Sequence, residues 1–281
     1  MKSTSSTSVN NILITGVKGK TGSRVFHKLK DMPGISLRGV SRSTDPAFDW
    51  QNTRTWKPAL AGMDAAYITY QPDLAVPGAP EHIRKFVGFA VESGVRKVVL
   101  LSGRGEEEAQ VCEKIIMNAG IDWTIVRASW FSQNFSEGHF MEPIQAGHLA
   151  LPVGEVKEPF VDVDDIADVV VAALTKGGHS NRLYEVTGPR LVTFGEAVEE
   201  IARATKREII FERVSVEAYT EMLTSYGVPP DYIALINYLF TEVLDGRNES
   251  LASGVLDALG REPKDFNEYV REAAATGLWN V

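Results

Sequence analysis

Two stretches of the chain hold residue types at spacings that chemistry could use. In "NILITGVKGKTGSRV", residues 11–25, Gly16, Gly19 and Gly22 recur at every third position between an apolar run and a basic amphipathic one. Glycine allows positive φ in a turn and close approach of backbone to an anion, and the open N–H groups of a helix's first turn attract phosphate. The second stretch, "LLSGRGEEEAQVCEK" at 100–114, offers the hydroxyl of Ser102 and the ammonium of Lys114. Held together, such groups can donate hydrogen bonds to a reacting oxygen and stabilise negative charge developing on it.

These residues need elements to position them. Ile12, Leu13 and Ile14 form a continuous apolar run, which suits a strand buried on both faces. From Ser23 onward, Val25, Phe26 and Leu29 fall at helical spacing with Arg24, Lys28 and Lys30 between them. The glycines therefore lie where a strand becomes a helix. Their spacing is G-x-x-G-x-x-G, and such a turn either cradles a phosphate or is simply a turn. Further along, "GISLRGVSRS", "DAAYITY", "VRKVVLLSG" and "DWTIVRAS" read as strands. Residues 81–93 place Ile83, Phe86, Val87, Ala90 and Val91 on one helical face, and "EEEAQVCEKIIMNAG" reads as a helix with acids at its amino end and Gly120 as its stop. "DPAFDWQNTRTWKPALAG" is expected to hold a short strand and one irregular helix.

Strands alternating with helices over the first 130 or so residues imply right-handed crossovers and ligand binding beyond the carboxyl ends of the strands. The expected fold is α/β: a Rossmann-type, doubly wound parallel sheet with a smaller, mostly helical C-terminal substrate lobe. The dinucleotide-binding domain is expected over 11–135, also receiving strands and a helix from about 148–187, and the substrate lobe over 188–281. In that scheme "HLALPV" and "PFVDVDDIADVVVAAL" return to the sheet, and "RLYEVTG" is another strand.

Composition narrows the functional classes. The chain has 281 residues, 44% hydrophobic and 23% charged, with a net charge of −8. No basic cluster stands out against the acidic background, which argues against nucleic acid as a partner. "MKSTSSTSVN" reads as a loose polar tail, and no apolar stretch approaches the ~20 residues of a membrane span. With Cys112 as the single cysteine, a reducing, cytoplasmic setting is expected. Cys112 itself reads as a small buried hydrophobe. "DVDD" at 162–165 ends a strand and opens a helix, so Asp164 is expected to cap the helix and Asp165 to favour its dipole; no metal site is expected.

Taken in order, "TGVKGKTG", "RKVVLLSG", a lysine in the next helix, "DWTIVRASWFSQNF" and "PFVDVDDIAD" resemble the NmrA-like, atypical short-chain dehydrogenase/reductase family from about residue 11 to about 275. "FDW", "VPGAPEHI" and "LLSGRGE" are most similar to a bacterial branch related to the festuclavine and agroclavine dehydrogenases. The resemblance implies that Thr15, Gly16, Lys18, Gly19, Lys20, Thr21 and Gly22 surround a dinucleotide pyrophosphate. It implies that Tyr70, Gln71 and Pro72 border the adenine or ribose, and that Trp130, Phe131 and Asn134 lie near the nicotinamide. The second strand ends in Ser41-Arg42-Ser43, where an NAD site would show an acid for the ribose hydroxyl. Arginine there suits a 2′-phosphate, so NADP(H) is expected over NAD(H), although Arg42 could also be a solvated surface residue.

In typical members of the family a serine precedes Tyr-x-x-x-Lys. Here Ser102 is present and Lys114 takes the lysine's place, but Gln110 stands four residues before it and cannot release a proton. Lys114 and Ser102 are the expected catalytic groups and ribose ligands, with the Gly103 amide and Arg104 as further donors. Tyr219, Met222, Tyr226, Tyr232, Tyr238 and Phe240 would suit a flat apolar substrate, or form the lobe's core. The leading expectation is an NAD(P)H-dependent oxidoreductase that reduces a small quinone, enone or imine by hydride transfer. The alternative is a catalytically silent NADP(H)-binding sensor that signals to a protein partner.

Overall fold

The computed structural model describes residues 9–280. Most of the expected polar tail, residues 1–8, lies outside them, as does Val281. The buried run Ile12, Leu13 and Ile14 lies in β1 (Asn11–Thr15), which has parallel neighbours on both sides, β2 (Ser36–Val40) and β3 (Ala65–Ile68). β3 pairs in parallel with β4 (Lys97–Gly103). With β5 (Asp122–Ala128) and β8 (Arg182–Val186) the sheet has six strands in the order β2-β1-β3-β4-β5-β8. The strand order reverses between β1 and β3, which puts the crevice of an open α/β sheet beside the glycine turn. This is the doubly wound, Rossmann-type sheet expected from the sequence.

Helices α1 (Lys20–Leu29), α2 (Trp56–Leu60), α3 (Ala79–Glu92) and α4 (Glu107–Met117) link these strands. The stretch 45–60 forms no strand, only a turn of 3-10 helix at Thr53–Thr55 and the short α2. Pro46 and Pro58 remove ladder donors there, and both indoles are buried with their N–H groups on carbonyls: Trp50 on Thr69 at 3.0 Å and Trp56 on Asp49 at 2.7 Å. Phe86 closes this aromatic cluster, 5.1 Å from Trp50 between ring centroids.

The chain divides into two compact units. The first holds residues up to 102, 108–126 and 167–184; the second holds 103–107, 127–166 and 185–281. In the second unit α5 (Met141–Ala146) leads into β6 (His148–Leu151), which pairs in parallel with β10 (Ile210–Arg213), while β7 (Lys157–Glu158) pairs antiparallel with β9 (Val192–Thr193). "HLALPV" therefore does not return to the main sheet. Its strand, β6, buries only Leu149 and Leu151 while His148 is exposed, the one-sided pattern of a small sheet rather than of a strand covered on both faces. "PFVDV" contributes one bridge, Val161 to Phe131, before α6 (Val163–Thr175) begins. The cap of α6 is Asp162, whose Oδ1 accepts from the Asp164 N–H at 2.7 Å, two residues earlier than expected. Asp165 is buried and ion-paired to Arg261.

The remaining helices are α7 (Phe194–Thr205), α8 (Val216–Ser225), α9 (Pro230–Tyr238), α10 (Gly254–Leu259) and α11 (Phe266–Ala275), with a π-helical turn at Leu239–Val243. α7 starts on a capping box in which Thr193 Oγ1 accepts from Glu196 N and Glu196 Oε2 from Thr193 N. Phe135, Phe140, Phe160, Phe194 and Phe266 form the second core. Among the described residues no helix is long and apolar enough to cross a membrane. Trp279 is fully buried in the second core and donates from Nε1 to the Phe135 carbonyl at 2.9 Å. Trp279→Ala is expected to lower stability by ~3–5 kcal/mol, read as a drop in the urea midpoint of the second unit's unfolding.

Candidate functional site

The glycine turn is built from close approaches that exclude side chains. Gly16 has φ of +62°, and a Cβ there would stand 2.3 Å from Thr69 Oγ1. A Cβ on Gly22 would stand 2.2 Å from the Gly16 carbonyl oxygen, so α1 rests directly on the turn. The same carbonyl accepts from the Gly19 N–H at 2.8 Å. Helix α1 then opens with no side-chain cap and no acid in its first turn. An uncapped amino end carries the positive pole of the helix dipole, and Lys18 and Lys20 add charge beside it. Two of the expected ligands have buried side chains. Thr15 is buried, accepting from the Thr69 N–H at 2.8 Å and tying β1 to the exit of β3, and the Thr21 side chain is buried as well.

The exit of β2 meets this turn. Lys18 Nζ donates to Ser43 Oγ at 2.6 Å, and Ser41 Oγ lies 3.3 Å from Ser43 Oγ. Thr44 folds the segment by accepting from Ser41 N at 2.8 Å and donating to Ser41 O at 2.9 Å. Arg42 is exposed and paired with no acid among the described residues. Lys18, Ser41, Arg42 and Ser43 thus gather two cations and two hydroxyls, with the exposed Asp45 two residues beyond, a donor set matched to a phosphate dianion.

Ser102 and Lys114, the expected catalytic groups, lie in different surroundings. Ser102 is buried and donates from Oγ to Glu113 Oε1 at 2.7 Å, and Glu113 is itself 1% exposed. On α4 the inward face is Ala109, Cys112, Glu113 and Ile116. Lys114 lies one position round from it, exposed, in an open groove shared with Arg84, Val87, Gly88 and Val91 of α3. Gln110 is half-buried on the same helix. Arg104 is no free donor either: its guanidinium serves Glu185, the carbonyls of Asn248 and Ser250, and the Ser250 hydroxyl. Gly103 has the Glu106 carboxylate packed against its Cα, where a Cβ would meet Oε1 at 1.9 Å.

Tyr70 faces the first core: its hydroxyl lies 2.7 Å from His82 Nδ1, its ring 4.9 Å from Trp50, and burial pushes the phenol up to about 12. Gln71 and Pro72 follow it, exposed, joined by a cis peptide. In the second unit Trp130 packs between Phe194 and Phe240, each at 5.4 Å, Phe131 bridges to Val161, and Asn134 sits in a 3-10 turn at Ser132–Phe135. Of the lobe's aromatics, Tyr219 and Phe240 are core residues, while Tyr226 and Tyr232 are exposed. Cys112 is fully buried, and burial raises its thiol to about 12, so it is inert.

Three buried carboxylates, Glu113, Glu158 and Glu200, were missed in the sequence. For Glu113 a signal existed, because it falls in the i, i+3, i+4, i+7 stripe of α4 with three apolar residues. For Glu158 the only hint is its place before Pro159 and Phe160, in a two-residue strand too short for alternation to speak.

No family model matches the chain. Over 281 aligned residues it is 29% identical to agroclavine dehydrogenase of Claviceps fusiformis, covering 93% of this chain and 96% of that protein. Over 278 residues it is 26% identical to the prestalk A differentiation protein A of Dictyostelium discoideum, covering 93% and 92%. Among solved structures, Citrobacter sp. triphenylmethane reductase complexed with NADP(H) superposes with a TM-score of 0.79 at 18% identity, covering 94% of this chain and 99% of that one. These likenesses agree with the motifs of the first turn and the middle strand: over 93% of its length the chain is similar to an agroclavine dehydrogenase, and its fold is the one that triphenylmethane reductase has.

Proposed function

We propose that the chain is an NADPH-dependent oxidoreductase that reduces a small conjugated substrate, such as a quinone, enone or imine. The observation that carries this reading is the edge formed by the uncapped start of α1 and the Lys18–Ser43 contact, which sets Arg42 beside the glycine turn. On this reading the backbone of the turn from Gly16 to Gly22 holds the pyrophosphate, and Arg42, Ser41, Ser43 and Lys18 hold the 2′-phosphate. The nicotinamide supplies the hydride. The chain's own part in the chemistry passes from Lys114 to Ser102, whose hydroxyl hydrogen, held by Glu113 in the free protein, would turn to the substrate's developing oxyanion.

That Ser102 meets a carboxylate rather than a lysine also supports a second reading, an NADP(H)-binding regulator that turns nothing over. The two separate in one experiment. A regulator binds NADPH, shows no oxidation of it with any member of a quinone, enone and imine panel, and changes its association with a partner protein.

Cofactor preference follows from charge. NADPH is expected to bind more tightly than NADH by ~1–3 kcal/mol, the scale of charge-assisted hydrogen bonds, and Arg42→Ala to remove most of that margin. Fluorescence titration of both cofactors checks this, and equal affinities in the wild type would refute it. Gly19 has extended backbone that valine tolerates, with the Gly16 carbonyl 3.2 Å from its Cβ position. Gly19→Val is therefore expected to abolish NADPH binding while circular dichroism stays native.

For catalysis, Ser102→Ala is expected to lower kcat by ~100-fold, the lower scale of acid–base effects, with KM little changed. Glu113→Gln should act in the same direction, and the double variant should be no worse than Ser102→Ala because the two groups act as a unit. Lys114→Met should leave kcat within about threefold, far below such effects.

A further inference from the structure

Glu158, on β7, is fully buried, and neither of its carboxyl oxygens has a hydrogen-bond partner. An acid left so is costly unless it stays neutral. The segment 245–250 is tied down beside it by bonds that all lie within the second unit. Arg104 donates from Nη1 to the carbonyls of Asn248 and Ser250, each at 2.8 Å, and from Nη2 to Ser250 Oγ at 2.7 Å. Asn248 Nδ2 returns to the Arg104 carbonyl at 3.2 Å, and the Lys157 N–H donates to Glu249 Oε1 at 3.0 Å, clipping the segment to the residue before Glu158. The π-helical turn just upstream carries Phe240 onto Trp130 at 5.4 Å and Tyr219 at 5.6 Å.

We propose that Glu158 is a proton-operated latch: neutral, it lets the segment 245–250 close over it, and ionised, it drives that segment open and loosens the Phe240–Trp130 contact.

The charged groups that bear on Glu158 are Arg104, from 103–107, and Glu249, from the segment itself; the Trp130 N–H and the Asn248 amide are aimed at it and favour its charged form, short of full hydrogen-bond geometry. Arg104 is a poor dedicated counter-ion, because it also serves Glu185 and the carbonyls of the segment. Burial pushes the Glu158 carboxyl up to about 8 against the pull of Arg104. With the segment open, the carboxyl regains its ordinary value of 4.5. Below that value both states are protonated and the latch holds best. As pH rises toward 8 the open state sheds its proton first, so closure weakens about tenfold per pH unit, and above 8 the loss is complete.

Amide hydrogen exchange on the full chain, corrected for intrinsic rates, tests the latch. Protection of residues 239–250 is expected to fall by at least ~30-fold between pH 5 and pH 8, while amides of β1 and α11 hold theirs. Glu158→Gln keeps the shape and cannot ionise, so its protection of the same residues should not change with pH. Glu158→Leu serves the same purpose if the glutamine variant does not fold. Wild-type protection that is flat with pH, an equal fall in the Glu158→Gln variant, or a fall shared by all amides of the second unit would each overturn the proposal.

Discussion

The contact between the α-carbon of Gly22 and the carbonyl oxygen of Gly16 sets the geometry on which the rest of the first unit depends. With only 2.2 Å between that oxygen and a notional Cβ, α1 can sit on the turn only because residue 22 has no side chain. That seat fixes where the helix's amino end points. Gly16 must in turn pass under Thr69, which couples the turn to the exit of β3 through the Thr15–Thr69 bonds. Lys18, carried on the same turn, then reaches Ser43 at the exit of β2. Three strand exits are thereby locked to one another at the switch point of the sheet, where such folds bind their ligands.

The second unit is organised differently. Its core is aromatic, and its polar burden falls on acids that the fold must satisfy one at a time. Asp165 has Arg261 and the Lys264 N–H, Glu200 and Asp265 share Arg190, and Glu185 shares Arg127 with Arg104. Each of these acids meets a cation at ion-pair distance, which offsets part of the cost of its burial. Glu158 meets no such dedicated partner, and that contrast within one unit singles it out.

The first βα turn, the strands of the main sheet and the long helices were legible in the sequence because each carries a local signature: a doubly buried apolar run, a glycine that only a turn explains, a stripe at helical spacing. Elements fixed by distant partners were not. β6 looked like a member of the main sheet because four apolar-rich residues cannot declare their neighbour, which is β10, some sixty residues on. The stretch around Trp50 and Trp56 was shaped by where two indoles could bury themselves, which no local pattern encodes. Lys114 drew attention because a lysine four residues after Gln110 fits a familiar spacing, yet it lies on the exposed face of α4. Counting the inward stripe from Ala109 through Cys112 to Ile116 places the carboxylate of Glu113 inside and the lysine outside.

The missing cap on α1 has a thermodynamic side. The first turn of that helix has no side-chain cap, and its open N–H groups are left to water, to 3-10-type bonds or to an anion. Any dianion that seats there finishes a piece of secondary structure as well as occupying a site, and the energy of that completion belongs to folding. At a hundredfold excess over its dissociation constant such a ligand adds ~2.7 kcal/mol to the folded state. A ligand held by the glycine turn would make the first unit's resistance to unfolding a gauge of how much of it the surroundings hold.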